Sequence, residues 1–289
     1  MSQNFRAIDF HVHIIPLDML KPEARSVFTS SPTFNLNEYR EVARKPSKFI
    51  EMLDKMQIDK AVLVTYVSPE VIGLSEEVIS FISKYCRDYP DRLIPFSSPN
   101  PVNENAAEKL EEIVTKYGIK GVKIHPVHQL FYPNAYRKEE GGLQTMRNFY
   151  AKAEDLGIPM MVHTGTSIFL GARIKYGNPI YLDDIAVDFP KLKIVMSHGG
   201  RPIWMKEAFY LVRRHRNVYI DISGIPPKNL LKYFPRLEEI ADKAVFGSDW
   251  PSPGVINIKS NILEFLKLSM SNEAKKKILK ETALKILTL

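Results

Sequence analysis

This sequence of 289 residues has little cysteine, and it lacks long apolar runs and a hydrophobic leader. Its single cysteine, Cys86, has no partner for an internal disulfide, which favours a reducing, cytoplasmic location. No stretch approaches the ~20 consecutive apolar residues that cross a bilayer, and the N-terminus has no charged-then-apolar leader. We therefore expect no membrane segment in a chain whose composition, 45% hydrophobic and 25% charged, is typical of soluble globular proteins.

The charge pattern argues against a second class of function. The formal net charge is +7 and the isoelectric point is about 9.2, but lysine and arginine are scattered along the chain and mixed with acids. RNA-binding proteins instead combine basic residues with aromatic ones in a cluster, and no such cluster is present. We therefore expect no nucleic-acid partner, and some attraction for a small anionic substrate.

Histidine is also scarce, with seven in the chain, and two of them form the most informative motif. The segment Asp9-Phe10-His11-Val12-His13 closes a short apolar run with the composition of a β-strand. Residues two apart on a strand point to the same side, so His11 and His13 leave one face together. Two neighbouring imidazoles are half of a zinc-type coordination shell, although a pair of ordinary pocket histidines is an equal alternative for this motif alone.

Further ionisable residues end other apolar runs of the same type. His125, His163 and His198 end runs that lead directly into proline or glycine-containing turns, and Asp249 ends Ala-Val-Phe-Gly-Ser-Asp. Each run has the apolar and β-branched content of a strand buried on both faces. If the strands are parallel, these side chains converge on one rim, and together they favour a metal site over isolated buried polar groups.

Eight such runs alternate with segments of helical periodicity, which predicts an α/β fold, a (β/α)₈ TIM barrel, as one domain over residues 1–289. The length slightly exceeds the ~250 residues typical of this fold, and active sites of such barrels lie at the C-terminal ends of the strands. The predicted strands cover residues 7–13, 61–67, 93–98, 121–125, 159–163, 193–198, 218–222 and 244–249.

Two segments exceed what a plain barrel needs. Residues 16–46 separate the first strand from a helix that begins near Pro46, which is too long for an ordinary connection. We interpret this insertion as a lid over the site, with a surface loop of no function as the alternative. Residues 272–287 predict an extra C-terminal helix.

The combined motifs resemble the amidohydrolase superfamily. Asp-Phe-His-Val-His, Val-Lys-Ile-His-Pro, Ser-His-Gly-Gly and Gly-Ser-Asp-Trp-Pro are most similar to the branch related to aminocarboxymuconate semialdehyde decarboxylase, which contains metal-dependent hydrolases and decarboxylases. These motifs span residues 9–251. The resemblance implies that the chain is an enzyme with a divalent metal, while leaving the substrate open.

The resemblance also implies a role for each matching residue. His11, His13, His163 and Asp249 would bind the metal, and His198 would act as an acid, a base or a polarising group. Asp249 would in addition take a proton from a metal-activated water. Three imidazoles and one carboxylate favour Zn²⁺, although Mn²⁺, Fe²⁺ or Co²⁺ accept the same donors.

Lys123 leaves the number of metal ions open. It shares strand parity with His125, so both are expected to face the barrel interior, where an unpaired ammonium is costly. One ion is the preferred prediction, with Lys123 and His125 contacting the substrate or supporting the site. Some members of the superfamily use a carboxylated lysine on this strand to bridge two ions, and here His163 and His198 would then serve the second ion.

Three further residues are candidates for recognition of the substrate, Arg173, Arg201 and Trp250, of which the arginines suit a carboxylate. The alternatives are a surface or helix-start position for each arginine and packing against the barrel mouth for Trp250. The preferred function is a hydrolase that opens a lactone, amide or related bond with a metal-activated water. The alternative is a nonoxidative decarboxylase of an aromatic or unsaturated acid. Metal-dependent deoxyribonucleases place an acid where this chain has Lys123, which argues against nuclease activity. The oligomeric state is open, with a homodimer as one arrangement.

Overall fold

The computed structural model describes residues 6–289 and contains all eight strands that the sequence predicts. Each observed strand overlaps its predicted run, usually ending one to four residues earlier, because the last polar residues already belong to the loops. The strands are β1 (Ala7–Val12), β2 (Ile58–Val64), β3 (Leu93–Phe96), β4 (Val122–Ile124), β5 (Met160–His163), β6 (Ile194–Ser197), β7 (Val218–Asp221) and β8 (Ala244–Val245).

The strands run parallel in chain order and close into a barrel. Continuous ladders join β1 to β3 and β4 to β8. Parallel bridges between Phe96 and Gly121 and between Val12 and Trp250 connect the two ladders at both seams. Gly121 is needed at its seam, since a Cβ there would lie 2.4 Å from the Phe96 ring. The (β/α)₈ prediction is therefore confirmed.

The helices of the barrel lie where the periodicity predicts them, with two differences. The periodicity of residues 72–87 predicts one helix, but the helix begins only at Glu77, because Ser68 and Leu74 pair in a short antiparallel bridge. The helix expected over 228–242 divides at Pro235, whose missing N–H interrupts helical bonding. Between β1 and β2 lie α1 (Pro22–Thr29), α2 (Leu36–Arg44) and α3 (Pro46–Met56). The later helices are α4 (Glu77–Cys86), α5 (Ala106–Tyr117), α6 (Pro126–Gln129), α7 (Gln144–Asp155), α8 (Leu182–Asp188), α9 (Met205–Arg214), α10 (Leu230–Tyr233) and α11 (Ile258–Leu266).

The insertion at residues 16–46 is folded and packs on the C-terminal mouth of the barrel. It forms α1 (Pro22–Thr29) and α2 (Leu36–Arg44), and α3 (Pro46–Met56) begins at the predicted proline. The Tyr39 hydroxyl accepts a hydrogen bond from the backbone N–H of Ile15 and donates one to its carbonyl, both at 2.8 Å. Whether this cover opens and closes as a lid stays a prediction.

The opposite end of the barrel is apolar and is covered by the C-terminal helix. This helix runs through α12 (Asn272–Lys276), a π-helical turn (Lys277–Glu281) and α13 (Thr282–Leu287), which confirms the predicted extra element. Ala283 and Ile286 pack with side chains from the barrel interior, which include Phe10 and Val195. Over residues 6–289, no helix combines the length and the apolar character that crossing a bilayer requires.

Candidate active site and metal centre

A cavity of about 690 Å³ opens at the C-terminal ends of the strands. Six of the seven histidines line it, while the seventh, His215, ends α9 with its Nε2 2.5 Å from Asp183 Oδ1. The six are His11, His13, His125, His128, His163 and His198. Five of them, all except His128, were expected to converge here from their positions at strand ends, and the fold brings them together.

His11 and His13 lie side by side with their Nε2 atoms 3.2 Å apart. His11 Nδ1 lies 2.6 Å from Asp221 Oδ2, and His13 Nδ1 lies 3.0 Å from the carbonyl oxygen of Val64. A carbonyl and a carboxylate accept hydrogen bonds, so each imidazole carries its proton on Nδ1. Both Nε2 atoms then present lone pairs to each other, an arrangement that a cation between them stabilises.

Asp249 completes this group of electron-pair donors. Its Oδ1 lies 3.3 Å from His13 Nε2 and 3.6 Å from His11 Nε2. Donor atoms about 2.1 Å from a tetrahedral ion are about 3.4 Å from one another, so the three atoms have the separation of metal ligands. Burial opposes ionisation of Asp249, but the His13 contact and the nearby His11 and Arg201 lower its pKa below the usual value.

His198 lies beside the same donors on a tight turn after β6. One nitrogen of His198 belongs to a group with His11 and Asp249 in which the ligand atoms lie within 4.8 Å of one another. His198 Nδ1 donates to the carbonyl of Ser223 at 3.1 Å. The turn requires glycine after it, because Gly199 has a φ of +54° and a Cβ there would lie 2.7 Å from Ile220.

His163 supplies an acceptor atom that the protein does not satisfy. Its Nε2 lies 3.2 Å from the carbonyl of Thr166, so the proton belongs there and Nδ1 carries the lone pair. That Nδ1 is buried and has no hydrogen-bond partner. An unsatisfied buried acceptor is costly unless a ligand fills it. The residues present thus fit a divalent metal ion.

Two buried carboxylates, Asp9 and Asp221, hold the candidate metal donors in place by hydrogen bonds. Asp221 orients His11, and it also accepts hydrogen bonds from the backbone N–H and the hydroxyl of Ser223 at 2.9 and 2.7 Å. Asp9 Oδ1 accepts from the backbone N–H groups of His11 and Ser248. Burial raises the pKa of Asp9 and that of Asp221 to about 7. Such partners set the tautomer of a metal-binding imidazole.

Sequence reasoning missed Asp221, although a signal was available. It ends β7 in Val-Tyr-Ile-Asp, as the other site residues end their strands, and it lies 210 residues from His11 in the chain. No function was predicted for it, because a lone acid at a strand end carries no motif that marks it as the partner of a distant histidine.

Lys123 lies inside the barrel, as strand parity predicts. Its Nζ donates to Ser197 Oγ at 2.9 Å, and the side chain lines the cavity. Burial lowers the pKa of Lys123 to about 7, against the opposing charges of Asp221 and Asp249. A lysine with this environment is readily deprotonated, which is the form that carboxylation requires.

A stack of imidazoles forms the wall on the other side of His163. His125 lies between His163 and His128, with ring centroids 3.7 and 3.6 Å apart. His128 Nδ1 lies 2.8 Å from the Tyr66 hydroxyl and its Nε2 lies 2.7 Å from Ser167 Oγ. Sequence analysis predicted a role for His125 but missed His128 and Tyr66, because neither belongs to a recognisable motif.

The structure brings one of the three predicted recognition residues to the cavity. Arg201 lines it, held by a bond from Nε to the carbonyl of Gly224 at 2.8 Å, with Nη2 3.5 Å from Asp249 Oδ2. Arg173 is exposed and donates to the carbonyls of its own loop at Gly171 and Ala172. Trp250 lies behind the wall, where it packs against Tyr39 and Phe49 with centroids 5.7 and 6.1 Å apart.

Known proteins share this fold and sequence pattern. The amidohydrolase family model matches residues 8–289. Gamma-resorcylate decarboxylase of Rhodococcus jostii (strain RHA1) is 23% identical over 258 aligned residues, covering 70% of this chain and 76% of that protein. Among solved structures, an uncharacterised TIM-barrel protein of Bordetella bronchiseptica is 23% identical with a TM-score of 0.77, covering 98% of this chain and 99% of its own.

A third similar protein was solved with a metal. The 5-carboxyvanillate decarboxylase of Novosphingobium aromaticivorans, with bound manganese, is 16% identical with a TM-score of 0.69. The match covers 100% of this chain and 98% of that protein. At these identities the likeness of the solved structures establishes the fold.

Proposed function

Because the chain belongs to the amidohydrolase family, we propose that it is a metal-dependent nonoxidative decarboxylase of an aromatic carboxylic acid. The observation that carries the proposal is the layout of the cavity. Candidate metal donors and Arg201 share the cavity with apolar and aromatic side chains, which include Phe28, Ile72 and Phe169. The named relatives are decarboxylases of aromatic acids, which supports this reaction.

Hydrolysis was the preferred reaction in the sequence analysis, with decarboxylation as the alternative. Both reactions use the same donor set, so the residues around the metal do not separate them. The names of the relatives favour decarboxylation, so decarboxylation becomes the preferred reaction and hydrolysis the alternative. The enzyme assignment itself, to a hydrolase or carboxy-lyase of this superfamily, holds in either case.

We propose that one divalent ion is held by His11, His13, His163 and Asp249. When bound, this ion supplies positive charge that polarises substrate oxygen atoms. Zn²⁺ suits the three imidazoles, and Mn²⁺, which the carboxyvanillate enzyme contains, is the first competitor. Elemental analysis of the purified protein checks both proposals, and two ions per chain with a carbamate on Lys123 in a crystal structure would contradict the count.

The protein groups have separate tasks in this reaction. The bond between the ring and the carboxylate breaks, CO₂ leaves, and the electron pair that stays on the ring carbon takes up a proton. Arg201 is placed to bind the carboxylate before it leaves. Asp249 Oδ2 faces Arg201 rather than the other donors, and it lies 4.0 Å from His198 Nδ1, so Asp249 and His198 are the groups that would carry the proton.

Release of labelled CO₂ tests the proposal directly. The metal-loaded protein is incubated with carboxyl-labelled hydroxybenzoates in D₂O. We expect labelled CO₂, one deuterium at the ring carbon that lost it, and loss of both after chelation. A panel of lactones, esters and amides serves as the competing set, and chelator-sensitive turnover of that panel alone would overturn decarboxylation in favour of hydrolysis.

The two arginines predicted from the sequence offer a matched comparison. Arg201→Ala is expected to raise KM for the acid by about 10- to 100-fold, the scale of a lost charge-assisted hydrogen bond. Arg173→Ala removes the same side chain from the exposed loop and is expected to leave KM unchanged. Equal effects of the two variants would refute the assignment of Arg201.

We further propose a small anionic substrate, no nucleic-acid partner and a cytoplasmic location. The cationic groups at the cavity, Arg201 and Lys123, support an anion there. The single cysteine, Cys86, is buried, which is compatible with a compartment where thiols stay reduced. Incubation of the metal-loaded protein with plasmid and oligonucleotides checks the second point, and cleavage would contradict it.

A further inference from the structure

A second cavity, of about 640 Å³, lies in the insertion region, outside the candidate active site. It is lined by residues of α1 and α2 and by Phe81 of α4. Three arginines contribute to its wall, Arg25 from α1 and Arg40 and Arg44 from α2, against a single acid, Asp18. We name it the arginine cavity. The reaction proposed at the metal uses none of these residues.

Helix stability does not account for this cluster of arginines. Arg40 and Arg44 are four residues apart on α2, so their side chains are neighbours on one face, where like charges repel. A cation in the last turn stabilises a helix, which explains Arg44. Arg25 and Arg40 lie before the last turns of their helices and gain no such stabilisation. The cluster therefore calls for another explanation.

The three guanidinium groups are not used by the protein itself. Over the part of the chain that the structure describes, none of them forms an ion pair or a hydrogen bond. Other arginines of this chain do pair, since Arg92 Nη2 lies 2.7 Å from Asp54 Oδ1 and Arg214 Nε lies 2.9 Å from Asp183 Oδ1. Each unpaired guanidinium has five N–H donors, which suit the oxygens of phosphate and carboxylate groups.

Contacts with the rest of the protein fix α2 beside the arginine cavity. The Tyr39 hydroxyl bonds the backbone of Ile15, and the Tyr85 hydroxyl of α4 donates to the carbonyl of Val42 at 2.7 Å. Tyr39 and Val42 are both buried. The backbone that carries two of the arginines is therefore held in position without a ligand, which lowers the entropy cost of binding one.

The wall of the arginine cavity indicates the class of ligand. Three arginines against one aspartate leave two positive charges in excess, and a phosphate monoester carries about −1.5 to −2 at neutral pH. The planar guanidinium group matches phosphate oxygens in geometry. Leu17, Leu36 and Phe81 add apolar surface to the same wall. A phosphate carried on an apolar or aromatic group uses both kinds of surface.

We propose that the arginine cavity binds a small organic phosphate, with the phosphate at Arg25, Arg40 and Arg44 and the apolar part against Leu36 and Phe81. The inference does not depend on which reaction occurs at the metal. It assigns to the insertion a binding function of its own, separate from covering the mouth of the barrel.

The position of α1 gives binding a local structural consequence. Phe28 lines the active-site cavity, whereas Arg25 and Thr29 line the arginine cavity, so α1 lies between the two. A ligand that contacts Arg25 together with Arg40 and Arg44 joins α1 to α2. We therefore expect binding to slow the exchange of backbone amide hydrogens in these two helices.

Calorimetric titration of the metal-loaded protein with phenyl phosphate tests the proposal. In the double variant Arg40→Ala/Arg44→Ala, we expect Kd to rise by about 10- to 100-fold, the scale of lost charge-assisted hydrogen bonds. Arg173→Ala removes an exposed arginine that lines neither cavity and should leave Kd unchanged. Turnover at the metal should be the same in these variants as in the wild type, and thermal unfolding checks that they are folded.

Arg201→Ala separates this site from the active site. We expect this variant to keep the wild-type Kd for phenyl phosphate. If Arg201→Ala weakens binding and the double variant does not, the ligand lies at the metal and the proposal is wrong. The absence of saturable binding in the millimolar range, or unchanged hydrogen exchange in α1 and α2 with phenyl phosphate bound, would also overturn it.

Three further probes define the chemistry of the ligand. Inorganic phosphate lacks the apolar part and phenol lacks the charge, so each is expected to bind at least about 10-fold more weakly than phenyl phosphate. Phenylmalonate carries two carboxylates on the same ring and tests the other class of dianion. Equal affinity for inorganic phosphate would refute the apolar contact, and tighter binding of phenylmalonate would refute the assignment to a phosphate.

Discussion

The two ends of this barrel are built from opposite kinds of side chain. At the N-terminal end, the interior is filled by apolar groups such as Phe10, Val195 and Ile286, which are fully buried. At the C-terminal end, the cavity is lined by six histidines together with Asp249, Lys123 and Arg201. Burying apolar surface stabilises the fold, whereas burying ionisable groups costs free energy unless ligands compensate. The comparison indicates that one end supplies stability and the other is held ready for a metal and an anion.

The largest expected effect is removal of a metal donor at the C-terminal end. His13→Ala or Asp249→Ala is expected to reduce bound metal to a small fraction of one ion per chain and to reduce turnover to background. His215→Ala removes the histidine outside the cavity and should leave both unchanged. Elemental analysis and turnover are measured on the same preparations, and full metal content in both donor variants would contradict the assignment.

The next effect separates His198 from the metal donors. His198→Ala is expected to retain metal and to lower turnover by about 10²- to 10⁴-fold, the usual contribution of general acid–base catalysis. Because His198 lies with His11 and Asp249 in one group of donor atoms, this prediction can fail in an informative way. Loss of the ion together with turnover would make His198 a ligand.

At the N-terminal end, the expected effect is on stability alone. Ile286→Ala leaves a cavity beneath the barrel and is expected to lower the free energy of unfolding by about 2–5 kcal/mol. Metal content and turnover of the folded protein should not change. The matched control is Ile203→Ala, at a side chain that is 55% exposed. Chemical denaturation measures the difference, and equal destabilisation by both variants would show that the C-terminal helix contributes little.

The last comparison concerns acid and arises from the histidine end only. Burial lowers the pKa of five cavity histidines, His11, His125, His128, His163 and His198, so they stay neutral when the unfolded chain takes up protons below about pH 6.5. Burial raises the pKa of Asp9 and Asp221 to about 7, which opposes this trend down to about pH 4. Five groups against two leave the unfolded chain with about three more protons, so acid destabilises the protein.

Denaturation of the metal-free protein between pH 6.5 and 5 measures how the free energy of unfolding changes with pH. Each additional proton on the unfolded chain contributes about 1.4 kcal/mol per pH unit to this slope. His128→Phe should reduce this slope by the contribution of about one proton. Ile286→Ala should leave the slope unchanged and lower the free energy of unfolding equally at every pH. A stability that rises as the pH falls would contradict the assignment of neutral histidines.

Much of the fold and of the site was predictable because local signals agree with the tertiary structure. Short apolar runs that alternate with segments of helical periodicity identified all eight strands, and parity along β1 put His11 and His13 on one face. The insertion was recognised by its length, but its helices α1 and α2 were not predicted, because its polar composition hid their short amphipathic faces. For Trp250 the sequence left two alternatives, contact with the substrate and packing against the barrel mouth, and in the structure its large ring packs against Tyr39 and Phe49.

By itself, the sequence determined the number and order of the strands, and it showed that polar residues lie at their C-terminal ends. Both features depend on periodicity and on turn residues, which act locally. Only the tertiary structure decided which groups touch. The bond from His11 to Asp221 joins residues 210 positions apart, and the contacts of His128 join the short helix α6 to the loops that carry Tyr66 and Ser167. Such pairs depend on barrel closure and loop packing, which bring together side chains with no relation in the linear chain.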